Sequence, residues 1–345
     1  MKRLHANAVA PPLSRPVLAR QGGGFRSRAT HSIILLILIC IGISSALAQV
    51  GTIPRTHSQL PAAPQATIRD ATFQSASLGR TMKYRIILPA GYDRGARRYP
   101  VLYLLHGLIG SYLDWDTKTH LEEYAAPLRL IIVMPDAGDS WYTNSSANPR
   151  DRFEDYIFKD LLAEIDKTYR TIATRHARAI GGLSMGGYGA MKFALKYPNL
   201  FVFAGSFSGV QSVAHDPDLK LRAGEKYDRQ ALEIYGPPRG ATRTANDVFA
   251  LAEKTDPADL PYFWITCGIG DRRLESNREF VALLQRRNIA YTYEEAPGSH
   301  SWAFWDEELP AMLRELSRHM ELGTARPVLP PIMPARQNPS PLHRP

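Results

Sequence analysis

The stretch AIGGLSMGGYGAMKFALKYP, residues 179–198, sets five glycines around Ser184 and then runs into an apolar, helix-forming segment closed by Pro198. HARAIGG ahead of the serine reads as a strand, so Ser184 falls on a very tight strand-to-helix turn. Such a turn holds a hydroxyl clear of a sheet, and it brings the residues two before and two after the serine so close that side chains would collide. Here those positions are Gly182 and Gly186. The free N–H groups and positive dipole end of the following helix point at the serine and favour an oxyanion beside it.

A serine hydroxyl becomes a competent nucleophile only when a base takes its proton and an acid orients that base. On a strand-turn-helix serine of this kind the chain order is serine, acid, histidine. Of the histidines after Ser184, His343 is in the tail, His319 lies within the last helical pattern, and His215 precedes every acid at a strand end. His300, in APGSHSW between the last strand-like run and the last helix-like run, is the expected base. Asp271 follows FWITCGIG, where catalytic groups gather beyond the carboxyl end of a parallel strand, and is the expected acid; Asp256, Asp259 and Glu275 are the rivals. An oxyanion needs two donors, expected at the Met185 N–H directly after the serine and at the Leu108 N–H in the loop after VLYLLHG. His106 in that loop reads as a structural residue.

Working outward, residues 67–88 alternate in two runs about a Gly-Arg turn, which predicts a hairpin. RYPVLYLLHG and LRLIIVMPD are continuous apolar runs, as strands buried on both faces should be. FEDYIFKDLLAEIDKTY puts Tyr156, Ile157, Leu161, Ile165 and Tyr169 on one helical face. Residues 211–259 are polar and short in pattern, and are expected as irregular turns and small helices. YFWITCG and IAYTYEEAP read as strands, and RRLESNREFVALLQRRN and WAFWDEELPAMLRELSRHM as helices. Strands alternating with helices predict an α/β fold with a mostly parallel central sheet covered on both faces, without a large cap domain.

The 345 residues are 44% hydrophobic, enough for one sizeable core. Residues 1–48 are basic, then apolar from Ile33 to Ile43, then small at Ala46-Leu47-Ala48. That order predicts a secretory signal, since the apolar run is shorter than a bilayer span. A linker at 49–66, a domain at 67–322 and a disordered Pro-rich tail at 323–345 follow. Six basic residues lie in 1–48 and three in 323–345, with no acid in either, so the formal charge of +9 falls to zero over 49–322. Net charge therefore gives no support to a nucleic-acid partner. Cys267 has no partner once Cys40 leaves with the signal, so export implies no disulfide framework.

The segments YRIILPAGYD, RYPVLYLLHG, GGLSMGGYGAMKFALKYP, CGIGD and PGSHSWAFWDEEL, in this order over residues 72–315, resemble the esterase family of the α/β-hydrolases. That family includes S-formylglutathione hydrolases (esterase D), feruloyl and acetyl-xylan esterases, tributyrin-type esterases and bacterial mycolyltransferases. The resemblance implies an α/β-hydrolase fold, a triad of Ser184, Asp271 and His300, and oxyanion donors at Leu108 and Met185, with no metal or cofactor. DSWYTN resembles the family's loop beside the site, where an Asp often follows Tyr-Thr; Asn144 stands there instead. Trp115, Trp141, Tyr142, Trp302 and Trp305 are candidate substrate-binding aromatics for a small-molecule or carbohydrate-linked ester. The expected activity is that of an exported, secreted or periplasmic serine carboxylesterase. An acyltransferase to a sugar or lipid hydroxyl, an S-formylglutathione hydrolase-like thioesterase and a non-catalytic binding protein are the alternatives.

Overall fold

Alternating side chains on the apolar runs decide which layers form. In β3 (Val101–Leu105) and β4 (Ile131–Pro135), Val101, Tyr103, Leu105, Ile131 and Val133 enter one buried cluster. Leu102, Leu104, Ile132 and Met134 enter another on the opposite face. Two apolar faces demand cover on both sides, so these runs occupy the middle of the sheet.

The structure is a computed structural model and describes residues 66–218, 224–320 and 322. The expected signal at 1–48, all but the last residue of the linker at 49–66, and the tail at 323–345 lie outside the described residues. The remaining strands are β1 (Thr67–Ser75), β2 (Arg80–Leu88), β5 (Arg178–Leu183), β6 (Phe203–Phe207), β7 (Tyr262–Gly268) and β8 (Tyr291–Ala296). They form one eight-stranded sheet ordered β1-β2-β4-β3-β5-β6-β7-β8. β1 and β2 make the predicted antiparallel hairpin, and β2 pairs antiparallel with β4. From β4 through β8 every pairing is parallel.

The helices are α1 (Asp114–Lys118), α2 (Leu121–Ala125), α3 (Phe153–Asp155), α4 (Leu162–Thr168), α5 (Met185–Lys196), α6 (Glu225–Tyr235), α7 (Ala241–Asn246), α8 (Val248–Lys254), α9 (Leu274–Arg286) and α10 (Trp302–His319). A π-helical turn, Tyr156–Leu161, joins α3 to α4, and the five predicted face residues from Tyr156 to Tyr169 are all buried. α5 packs Tyr188, Met191 and Phe193 on the first face of the sheet; α10 packs Leu309, Met312 and Leu316 on the second. The described part of the 211–259 segment holds the expected small helices, α6, α7 and α8, among turns. Ala231, Ile234 and Tyr235 give α6 a buried stripe sufficient to hold it. Among the described residues no helix is long and apolar enough to cross a membrane.

Because β5, β6, β7 and β8 run the same way, their carboxyl ends share one rim. The residues just beyond β5, β7 and β8 include Ser184, Asp271 and His300.

Candidate active site

Ser184 sits between β5 and α5 with φ 52° and ψ −114°, a conformation that an L-residue adopts only when its surroundings impose it. The surroundings do. Its N–H donates to the Phe207 carbonyl at 2.9 Å and its own carbonyl accepts from Tyr188 N–H at 3.0 Å, tying the turn to β6 and to the helix. A Cβ on Gly182 would lie 2.6 Å from the Gly186 carbonyl carbon, and one on Gly186 would lie 2.6 Å from the His106 carbonyl oxygen. The glycines are there because the elbow folds backbone onto backbone.

The structure brings the three predicted polar residues into one hydrogen-bonded chain. His300 Nε2 lies 2.9 Å from Ser184 Oγ, and His300 Nδ1 lies 2.9 Å from Asp271 Oδ2. The Asp271 side chain is fully buried, while the His300 side chain keeps 19% exposure, enough to meet a substrate. Burial pushes the Asp271 carboxyl upward in pKa, but the hydrogen bond and charge of His300, the Ser208 hydroxyl and the Arg273 N–H together hold it below its ordinary value. Asp271 Oδ1 accepts that Arg273 N–H at 2.8 Å. Asp271 is therefore an acceptor surrounded by donors, which suits a carboxylate and nothing else of that size. Two of the rivals are occupied elsewhere: Asp256 caps Ala258 N–H, and His215 pairs with Asp247.

Leu108 lines the same pocket as Ser184, and Met185 opens α5 directly behind it. His106 shapes the Leu108 loop as its sequence suggested. Its Nε2 accepts from Ala137 N–H at 3.1 Å, which leaves the proton on Nδ1 to be donated to the Gly107 carbonyl at 2.8 Å. Burial lowers its pKa, consistent with a neutral ring wired into backbone.

The pocket encloses about 210 Å³ and Trp141, Trp302 and Trp305 contribute to its walls. Trp115 and Tyr142 are not among the lining residues, which corrects the sequence expectation for both. The Trp115 indole N–H donates to the Leu105 carbonyl at 2.9 Å, and the ring packs edge-on against Phe207 and Trp302. The Tyr142 hydroxyl donates to the His106 carbonyl at 2.9 Å. Both are core residues that brace the loop carrying Leu108. Asn144 has a structural task as well: its Oδ1 accepts from the N–H groups of Glu154 and Asp155, capping the helical run that starts at Phe153.

Two features of the site escaped the sequence reading. Ser208, at φ 49°, accepts from the Trp305 indole N–H at 3.2 Å and hydrogen-bonds Asp271, so one hydroxyl links a pocket wall to the acid. Trp141 and Tyr142 are consecutive residues at φ 54° and 53°, held by a buried cation behind them. Lys192 Nζ donates to the Tyr142 carbonyl, to Thr143 Oγ1 at 3.0 Å and to Glu154 Oε2 at 3.2 Å. Burial lowers the Lys192 pKa to about 8, and Glu154, despite burial, is brought down to about 2 by Lys192 and Lys196. A lysine inside the apolar run GAMKFAL was the one available signal.

Residues 75–316 match the family described as "Putative esterase". The chain belongs to that esterase family. Esterase Rv1288 of Mycobacterium tuberculosis is 32% identical over 255 residues, covering 66% of this chain and 54% of its own, so the chain spans about half the length of that curated relative. The acetyl esterase of Caldicellulosiruptor saccharolyticus is 26% identical over 73% of this chain and 98% of its own. Among solved structures, the fluorophosphonate-binding serine hydrolase FphF of Staphylococcus aureus superposes with a TM-score of 0.66 at 27% identity, over 73% of this chain and 98% of that one. The esterase-family chain thus has the α/β-hydrolase fold with its elbow serine at the expected rim.

Proposed function

We propose that the protein is a serine carboxylesterase, exported from the cytoplasm, that hydrolyses carboxylic esters through an acyl-enzyme on Ser184. The observation that carries this reading is His300 placed 2.9 Å from Ser184 Oγ on one side and 2.9 Å from Asp271 on the other. The location outside the cytoplasm rests on the N-terminal sequence pattern alone.

Ser184 Oγ attacks the ester carbonyl carbon as its proton passes to His300 Nε2. The imidazolium that forms donates Nδ1–H to Asp271, whose buried charge stabilises it. The carbonyl π pair moves onto oxygen, and the Leu108 and Met185 N–H groups receive that oxyanion. Collapse of the tetrahedral intermediate breaks the bond to the alcohol oxygen, which leaves with the proton from His300 Nε2. Water then gives a proton to His300, its oxygen bonds the acyl carbon, and the acid departs as Ser184 regains its proton. Trp141, Trp302 and Trp305 offer apolar walls for the substrate, in keeping with a small-molecule or carbohydrate-linked ester.

Ser184→Ala is expected to abolish turnover of p-nitrophenyl acetate while circular dichroism and Tm remain those of a folded protein. Undiminished hydrolysis by the folded variant would overturn the reading. Product analysis with carbohydrate acceptors separates hydrolysis from acyl transfer: free acid alone supports hydrolysis.

A further inference from the structure

The charges around the pocket mouth are one-sided, although the chain from 49 to 322 carries no formal net charge. Among the described residues, Lys118, Arg272 and Arg273 line the pocket, and Asp114 is the single carboxylate that does so. Asp114 is committed, since its Oδ2 takes Lys118 Nζ at 3.0 Å and its Oδ1 takes the Ser111 hydroxyl at 3.1 Å. Lys118 Nζ also stands 5.1 Å over the Trp302 ring, which keeps it at the mouth. Asp139 is held by the Ile109 N–H at 2.6 Å, and Asp271 is sealed under His300. Glu275, the next acid after the two arginines, extends into solvent and its ion-pair partner is Arg278. Arg272 is exposed, and no carboxylate pairs with it among the described residues.

Arg272 stands beside the relay, which gives its charge a direction. Arg272 follows the triad acid directly, and the turn it occupies is closed by the Asp271 carbonyl accepting Leu274 N–H at 3.0 Å. In the mechanism above His300 protonates the departing alcohol oxygen, so the alcohol portion lies on the His300 side, next to this turn. We propose that the pocket mouth recognises a carboxylate on the alcohol portion of the ester, with Arg272 as the contact. A guanidinium suits a carboxylate because it offers paired donors. This inference rests on Ser184 being the nucleophile.

The test compares 4-acetoxybenzoate with 4-acetoxybenzamide, which present the same acetyl group and differ in one charge. The readout is the ratio of their kcat/KM values within each protein. Wild type is expected to favour the benzoate by roughly tenfold at low salt, the scale of one or two partly screened charge contacts. That ratio should fall as ionic strength rises from about 10 mM to about 0.5 M. Arg272→Gln should lower the ratio several-fold and Arg272→Glu should bring it below one, with unchanged Tm showing that the exposed substitution leaves the fold intact. A ratio that is insensitive to salt and the same in Arg272→Glu overturns the inference while leaving the esterase reading in place. Benzamide-ester hydrolysis that survives Ser184→Ala overturns the catalytic reading, and this inference with it.

Discussion

Replacing Asp271 by Asn is the most discriminating single change, because it alters one charge and one pair of donors while keeping shape. The Asp271 carboxylate accepts from His300 Nδ1–H, from Arg273 N–H and from the Ser208 hydroxyl. An amide cannot accept from all of these. If its oxygen faces Arg273, its NH₂ meets His300 Nδ1 and drives the ring proton to Nε2, where the imidazole can no longer take the Ser184 proton. If the amide turns round, its NH₂ opposes the Arg273 N–H and a buried donor is left unpaired, at about 1–3 kcal/mol. The first arrangement is the cheaper, so the wrong tautomer should dominate. A serine triad with its ring in that tautomer loses on the order of 10⁴ in kcat, about 5.5 kcal/mol at roughly 1.36 kcal/mol per decade. Stopped-flow and steady-state assays with p-nitrophenyl acetate would measure the loss, and thermal melts would show that the fold persists. A variant retaining more than about a tenth of wild-type kcat would refute this reasoning about how Asp271 orients His300.

Other substitutions probe the framework. Gly186→Ala places a Cβ 2.6 Å from the His106 carbonyl oxygen, a backbone collision that should cost about 3 kcal/mol or more and lower Tm by roughly 6–12 °C. Trp302→Ala should raise KM for aryl esters because it removes a pocket wall, whereas Trp115→Phe should lower Tm by a few degrees, about 1 kcal/mol, with KM unchanged. Glu154 has its pKa brought down to about 2 in the fold, so its ionised form stabilises the protein above its unfolded value of about 4.3, and that contribution disappears as pH falls through the folded value. Glu154→Gln should therefore flatten the acid limb of stability against pH, as urea unfolding between about pH 5 and pH 2 would show.

Much of this architecture was legible because the relevant signals are local. Two-sided burial writes β3 and β4 as unbroken apolar runs, and backbone crowding at the elbow writes Gly182 and Gly186 into the sequence. Asp271 follows such a run, β7, whereas His300 was read from its loop between the last strand-like and the last helix-like segment. What stayed hidden depends on tertiary direction. An aromatic near the site reads the same whether it faces the pocket, as Trp302 does, or the core, as Trp115 and Tyr142 do. Ser208 gave no signal because its task is defined by Asp271 and Trp305, which are distant in the chain. The Lys192–Glu154 pair joins positions 38 residues apart.

The central claim is that Ser184 is made nucleophilic by His300, and covalent labelling tests it most directly. Wild-type protein incubated with a fluorophosphonate should gain one adduct, mapped by peptide mass spectrometry to Ser184, and His300→Ala should slow that gain by several orders of magnitude. An unlabelled Ser184 in folded protein, or labelling at the same rate without His300, would contradict the account.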